Sequence, residues 1–374
     1  MGKSIVLVGL VGNHHSLYEY VLTVLLKQYD RVSFITQTAV NRQIHLDADG
    51  LDVLIDDHNV TEVLERQLSF INKHEILILD EYFGSFYRIR GMKFLSKKRI
   101  LIIHNANKWS TVLKKPVPFN KIFIDQLFKH KLIRQIDAFV TVGPNVKEYL
   151  LKKNNDKPIY FLPFNYSKEI QNNNINSKER LTILIPGMIS NNRRNYVDLL
   201  KAFEGYLLKS QNPRIYLIFL GRILSKEDKQ VTEYIDRING DYKNRIKYWS
   251  SFIDQEEFDQ EIINSDLVLS NIYPTITSKR ITEYYGKSKE SGISFVIYKY
   301  AKPAIVPVFQ NVLTGFDSQL IRFNSYLELV DIFEQLENKR INIENLNSKA
   351  QINKKIFNGL IEKETTNFLK YINQ

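Results

Sequence analysis

The chain of 374 residues is 44% hydrophobic and 12% aromatic, so it can bury a large core, and its length suits two domains. It contains no cysteine, which excludes disulfides, cysteine-ligated zinc and thiol nucleophiles. The net charge of +11 is concentrated, with 13 Lys and Arg between Arg88 and Arg134 against the single acid Asp125. Such a stretch is either a solvated face or a surface for phosphate-rich partners, among them an anionic membrane or a lipid diphosphate.

In chain order, "SIVLVGL" (4–10) reads as a buried strand and "SLYEYVLTVLLKQY" (16–29) has helical spacing. The short apolar runs 31–36, 76–82, 99–105, 137–143 and 159–164 are further strands. Continuous apolar strands between helices predict a parallel sheet covered on both faces. The N-terminal run lacks the small-residue cleavage site of a secretory signal, and no stretch approaches the ~20 apolar residues of a spanning helix. The expectation is a soluble, cytoplasmic protein. The acid-rich "DADGLDVLIDD" (47–57) reads as a surface or loop edge.

The polar, Asn-rich stretch 165–180 is expected to link two domains. Beyond it the alternation restarts: strands at 181–187, 214–221, 246–252, 266–272 and 303–308, with helices near 195–210, 227–240, 255–264 and 293–301. The last segment, 350–373, has Ile352, Ile356, Leu360 and Ile361 at helical spacing and is expected to dock back. The fold class predicted is α/β, two doubly wound halves facing a cleft: residues 1–165, then 180–350, then a C-terminal helix from 351. Ligands of such folds sit at the carboxyl ends of the strands, so the loops there are the candidates.

Four loops qualify. Gly12, Asn13, His14 and His15 follow the first strand. Two glycines there let the backbone approach a ligand, but the spacing is not a dinucleotide fingerprint, and no P-loop occurs anywhere. His104, Asn105 and Lys108 follow the strand 99–105; a polar imidazole at the end of an apolar strand needs a partner, from substrate or from the protein. Arg193 and Arg194 precede a helix, where they can clamp a diphosphate. In "EYYGKSKESGI", Glu283, Gly286, Lys287, Lys289, Glu290, Ser291, Gly292 and Ile293 lead into another helix, whose start offers donors for phosphate oxygens. Each of these also has a plain structural reading as a turn, a cap or a surface charge.

Taken together these residues resemble the GT-B glycosyltransferases, in particular glycosyltransferase family 4. The resemblance is clearest from about 181 to 307. "ILIPGMISNNRRNYVDLLKAF" is similar to the family's strand, Gly loop (Gly187) and basic residue, "IYLIFLGR" (with Arg222) to its next strand, and the run from Ile246 through Phe252 to "DLVLSNI" to its base-binding loop and helix. "HNANK" and "DAFVTVGPNVKEYLL" look like its N-terminal counterparts. The resemblance implies a nucleotide-diphosphate sugar as donor substrate and no metal or other cofactor. Donor-binding groups would be Gly187, Arg193, Arg194, Arg222, Phe252, Glu283, Gly286, Lys287, Lys289, Glu290, Ser291, Gly292 and Ile293. Acceptor-binding groups would be Gly12, Asn13, His14, Asn105 and Lys108, and His104, Glu283, His14 and His15 would be the catalytic candidates. The family places two glutamates eight positions apart; here Glu283 is followed eight on by Ser291, with Glu290 adjacent.

The implied activity is sugar transfer to a glycan, lipid-linked glycan or other glycoconjugate, in surface polysaccharide or glycoconjugate synthesis. In a retaining enzyme His104 would assist; in an inverting one His14 or His15 would be the base. The basic 88–134 stretch would then face the inner side of a membrane, with Phe119, Ile122, Phe123, Leu127 and Ile133 at roughly helical spacing beside Lys129, Lys131 and Arg134. The incomplete glutamate pair leaves a non-catalytic partner protein open, and an epimerase shares the fold. No nucleic-acid motif accompanies the charge, and no nucleic-acid partner is expected.

Overall fold

The computed structural model describes residues 3–81, 84–110, 121–153, 156–164, 180–191, 193–223, 228–251, 253–278, 281–313 and 315–374. Phe252 and nearly all of the predicted linker lie outside them, so neither reading is addressed.

Seven parallel strands build the first sheet: β1 Ile5–Val8, β2 Val32–Thr36, β3 Leu51–Ile55, β4 Ile76–Leu79, β5 Lys98–Ile103, β6 Ala138–Thr141 and β7 Ile159–Phe161, in the order 3-2-1-4-5-6-7. Helices α1 His15–Leu26, α2 Thr38–Asn41, α3 Val60–Ile71, α4 Ala106–Ser110, α5 Lys121–Gln135 and α6 Pro144–Leu151 are threaded between them. All four residues of β1 and of β4 are buried, as a central parallel strand covered on both faces requires. The acid-rich 47–57 stretch contains the edge strand β3, paired in register with β2 from Val32↔Leu51 to Thr36↔Ile55. Its acids sit at the sheet's margin, where charge discourages further pairing.

The second sheet is also parallel, with β8 Leu181–Pro186, β9 Ile215–Leu220, β10 Ile246–Tyr248, β11 Leu267–Leu269, β14 Ala304–Pro307 and β15 Leu320–Phe323 in the order 10-9-8-11-14-15. An antiparallel hairpin, β12 Thr275–Ser278 and β13 Ile281–Tyr284, stands apart from it. Helices α7 Tyr196–Lys209, α8 Lys229–Tyr242, α9 Gln255–Asn264, α10 Gly292–Lys299 and α11 Tyr326–Glu337 complete this half. Strand order reverses between β8 and β11, the switch point at which open α/β sheets bind ligands.

The final helix, α12 Ile343–Asn373, runs back across both halves. Phe357 and Ile361 enter a core shared with β11, α10 and β14, whereas Phe368 and Ile372 enter the core of the first sheet. Lys147 pairs with Glu364 at 2.6 Å, and Tyr20 bonds Thr365 at 2.8 Å. Of the predicted amphipathic face around 118–136, Phe119 and the side chains of Ile122 and Phe123 lie outside the described residues, and the rest divides in α5. Leu127 is exposed, Ile133 packs on the core, and Lys129 is fully buried, donating to the Lys108 carbonyl at 2.8 Å. Its burial lowers the ammonium pKa to about 8. No helix among the described residues is long and apolar enough to cross a membrane.

Candidate active site

The carboxyl ends of β1, β4 and β5 converge on one acid. Asp80 is buried just beyond β4. Its Oδ2 accepts from His14 Nδ1 at 2.8 Å and from the Tyr18 hydroxyl, and its Oδ1 accepts from His104 Nε2 at 2.8 Å and the Glu81 N–H at 2.7 Å. Burial alone would raise the Asp80 pKa. The adjacent histidines outweigh it by charge and hydrogen bonding and hold the carboxyl far below its usual range. An ionised Asp80 can only accept, so each histidine presents an N–H to it, and in a neutral ring the opposite nitrogen, Nε2 of His14 or Nδ1 of His104, is the acceptor. Burial, then the charge of His14, lowers the His104 pKa and favours the neutral ring.

The two rings are stacked, with centroids 3.8 Å apart and planes at 11°. Phe164 packs edge-on to His14 at 5.6 Å and tilted over His104 at 5.3 Å. It also meets Phe295 of α10 at 5.4 Å, so the histidines of the first half lie beneath an aromatic contact with the second. The side chain of His14 is 13% exposed against 6% for His104, which makes His14 the more accessible base. His14, Asp80 and His104 are also the one group among the described residues whose ligand atoms could gather on a metal. His15 turns instead to its own turn, with Nδ1 3.1 Å from the Gly12 carbonyl. Gly12 and Asn13 form the 3-10 turn that places His14.

Glu81, next to Asp80, is a structural hub. It accepts from Trp109 Nε1 at 3.0 Å, the His104 N–H at 3.1 Å and Asn105 Nδ2 at 2.8 Å, and pairs with Lys108 Nζ at 3.1 Å. Asp80 and Glu81 were not singled out from the sequence, although two acids ending an all-apolar strand are a signal: buried carboxylates need partners.

From the second half, the 281–292 segment crosses to this region. Glu283 accepts from the backbone N–H of Lys108 at 2.8 Å and of Asn107 at 3.2 Å, capping α4. Burial raises its pKa, opposed by its hydrogen bonds from Ser288, Lys108 and Asn107. Lys289 donates to Asn105 Oδ1 at 2.6 Å, and Ala106 N–H to the Ser288 carbonyl at 2.7 Å. Burial lowers the Lys289 pKa, the charge of Glu81 opposes this, and Arg193 lowers it further. Glu290 is buried, with Oε1 accepting from the Ser291 N–H at 3.3 Å. Ser291 caps α10 through the Ile293 N–H, also at 3.3 Å. Gly292 and Lys287 are exposed. Gly286 is left-handed (φ +72), and a Cβ there would come within 2.7 Å of the Asn311 backbone.

The two arginines part ways. Arg194 folds back to donate to the Pro186 carbonyl and covers Gly187, whose φ is +104. Arg193 makes no side-chain hydrogen bond or ion pair with the described residues, and its charge is felt by Lys289. Arg222 is exposed at the end of β9, its carbonyl accepting from the Ile189 N–H at 3.0 Å. Thus His14, His104, Asn105, Lys108, Glu283 and Lys289 are brought together, Arg193 acts on the same group through its charge, and Arg194 is spent on its own loop.

No protein-family model matches this chain, and no curated protein matches it in sequence. Solved structures share its fold. Anabaena HepE in complex with UDP-glucose aligns with a TM-score of 0.66 at 11% identity, over 98% of this chain and 99% of that one. An alpha,alpha-trehalose-phosphate synthase (UDP-forming) from Burkholderia vietnamiensis aligns at 0.63 and 9% identity, over 100% of both chains. The E. coli trehalose-6-phosphate structure bound with UDP-2-fluoro glucose aligns at 0.64 and 10%, over 100% of this chain and 99% of that one. At such identities the likeness is one of fold. It establishes GT-B, two Rossmann-like domains, and because it extends to trehalose-phosphate synthases it does not single out family 4.

Proposed function

We propose that this protein is a glycosyltransferase that moves a sugar from a nucleotide-diphosphate sugar to a glycan, lipid-linked glycan or other glycoconjugate acceptor. The observation that carries this reading is the Asp80-held pair His14 and His104, beside which the second half brings Lys289 through its bond to Asn105; Lys289 feels the charge of Arg193, a cation with no acidic partner among the described residues. Arg193 and the start of α10 at Ser291 would stabilise the departing diphosphate, without a metal. His14, oriented by Asp80, would take the proton of an acceptor hydroxyl, the role an inverting transfer needs. The bound UDP and UDP-sugars of the fold neighbours make uridine donors the first to test.

A second reading, a non-catalytic partner protein, is favoured by one fact: Glu283 is committed to capping α4 rather than presented to a ligand. Calorimetric titration with nucleoside diphosphates, followed by transfer assays in the presence of chelator, separates the two. Binding with turnover supports the enzyme. Binding without turnover, or no binding to any nucleotide, favours the partner protein. The basic stretch 88–134 would hold the enzyme at an anionic membrane carrying a lipid-linked acceptor. Equal partition to neutral and anionic vesicles at low salt would count against that.

A further inference from the structure

Two carboxylates of one segment close on two helix starts of the opposite domain. Glu283 caps α4 through the Asn107 and Lys108 N–H groups. Glu290 lies against Gly143, the N-cap of α6, so tightly that a Cβ on Gly143 would come within 2.3 Å of Glu290 Oε2. That helix start has no side-chain cap of its own. We propose that residues 281–291 form a proton-sensitive interdomain clasp, with Glu283 capping α4 and the Glu290 carboxyl packed on the start of α6.

The arrangement at Glu290 is incomplete as a permanent lock. Oε2 of Glu290, Oγ of Ser294 and Nδ2 of Asn145, which lies two residues beyond Gly143, are all buried without a hydrogen-bond partner. An ionised carboxylate left with an unsatisfied oxygen is costly to bury, whereas a protonated one is tolerated. Burial, opposed by the Ser291 N–H and the nearby Ser294 hydroxyl, pushes the Glu290 pKa up to about 7, with no opposite charge assisting the ionised form. Tyr298 of α10 is the titratable neighbour, its own pKa raised chiefly by burial and then by Glu290. Lys289 bears on Glu283 by its charge, and Glu81, Arg193 and Lys108 bear in turn on Lys289. The clasp also carries neutral contacts that do not titrate: Asn107 Nδ2 donates to the Thr282 carbonyl at 2.8 Å and to Ser288 Oγ at 3.2 Å.

Both carboxyls are shifted upward in the closed form. The closed form therefore binds the proton more tightly than the open one. Closure is favoured fully below the ordinary carboxylate value of 4.5 and weakens as pH rises to about 7, above which the Glu290 contribution is constant. The device stands on these contacts and not on the glycosyltransferase reading, so its test uses no substrate.

Hydrogen exchange of the full chain, corrected for the intrinsic pH dependence of amide exchange, reads the clasp directly at the amides of Ala106, Asn107 and Lys108. Wild type is expected to lose protection at these amides between pH 5 and pH 8, by roughly 70-fold from the Glu290 shift. Glu290→Gln should keep more of its protection at pH 8 than wild type, any remaining loss being that of Glu283. Gly143→Ala, whose φ of −148 any residue accepts, should pry the contact apart and lose protection already at pH 5. An unchanged pH response in Glu290→Gln, a pH-independent wild type, or full protection in Gly143→Ala would each overturn the proposal. Global melting recorded alongside distinguishes release of the clasp from unfolding, and a Glu290→Gln chain that failed to fold would leave the Gly143→Ala comparison to decide.

Discussion

The imidazole rings of His14 and His104 lie stacked at 3.8 Å, although they come from different strand ends, and Asp80 holds both. The carboxylate supplies a charge-assisted hydrogen bond to each ring and so fixes both the tautomer and the position. Four groups depend on that one side chain: the two histidines, Tyr18 and the Glu81 N–H.

Asp80→Asn is therefore expected to cut transfer by two orders of magnitude or more, as an Asn would present an N–H to one ring and reverse its tautomer. It should also cost about 1.5–3 kcal/mol in urea unfolding, the range for hydrogen bonds to a charged group. Near-wild-type turnover would remove the histidine pair from the mechanism.

Protonation of His104 should be visible in stability. Its pKa is lowered from 6.5 in the fold by burial and by His14, so the unfolded chain binds the proton first as pH falls. The stability held above pH 6.5 is lost below it, with a limiting slope of about 1.4 kcal/mol per pH unit. Glu290 acts in the opposite sense between 4.5 and about 7. The measurement is thus the difference between wild type and His104→Gln, by urea titration at pH 7.5 and 5.5. Wild type should lose more stability than the variant on acidification.

Adjacent arginines should respond differently. Arg193→Ala is expected to weaken nucleoside diphosphate binding by about 10- to 100-fold, the loss of one charge-assisted contact, with an unchanged melting temperature. Arg194→Ala should lower the melting temperature, because its guanidinium holds the Pro186 carbonyl at the turn of Gly187. Titration calorimetry and thermal unfolding on both variants check the pair, and matching profiles would contradict the assignment.

Gly286→Ala should destabilise the chain by about 1–3 kcal/mol, from a left-handed backbone and the collision with Asn311. Gly292→Ala, with open space around its Cβ, is the control and should change stability by less than about 1 kcal/mol. Urea unfolding of the two variants tests this.

Much of the fold could be read from local pattern. The runs ending at Val8, Leu79, Ile103 and Pro186 are continuous apolar strands because both faces of a parallel sheet are covered. Edges and additions were harder. Strand β3 is a short run flanked by acids at a sheet margin and resembles a surface loop, and the hairpin β12–β13 is Thr-rich, with Ile276 packed at the margin of a core. In α5 the charge of Lys129 suggested an outward position, whereas the fold buries it against the Lys108 carbonyl.

For the site, sequence alone determined which loops were available. Residue type and position at strand ends marked His14, His104, Arg193 and the 283–292 segment, because the carboxyl edge of a parallel sheet is where loops meet ligands. Only the tertiary structure decided how these groups are used. Hydrogen bonds between residues tens to hundreds apart place Asp80 between two histidines and turn Glu283 onto α4, and interdomain packing sets Glu290 against the start of α6. A carboxylate's role is set by which donors the fold brings within about 3 Å of it, and no local pattern encodes that distance.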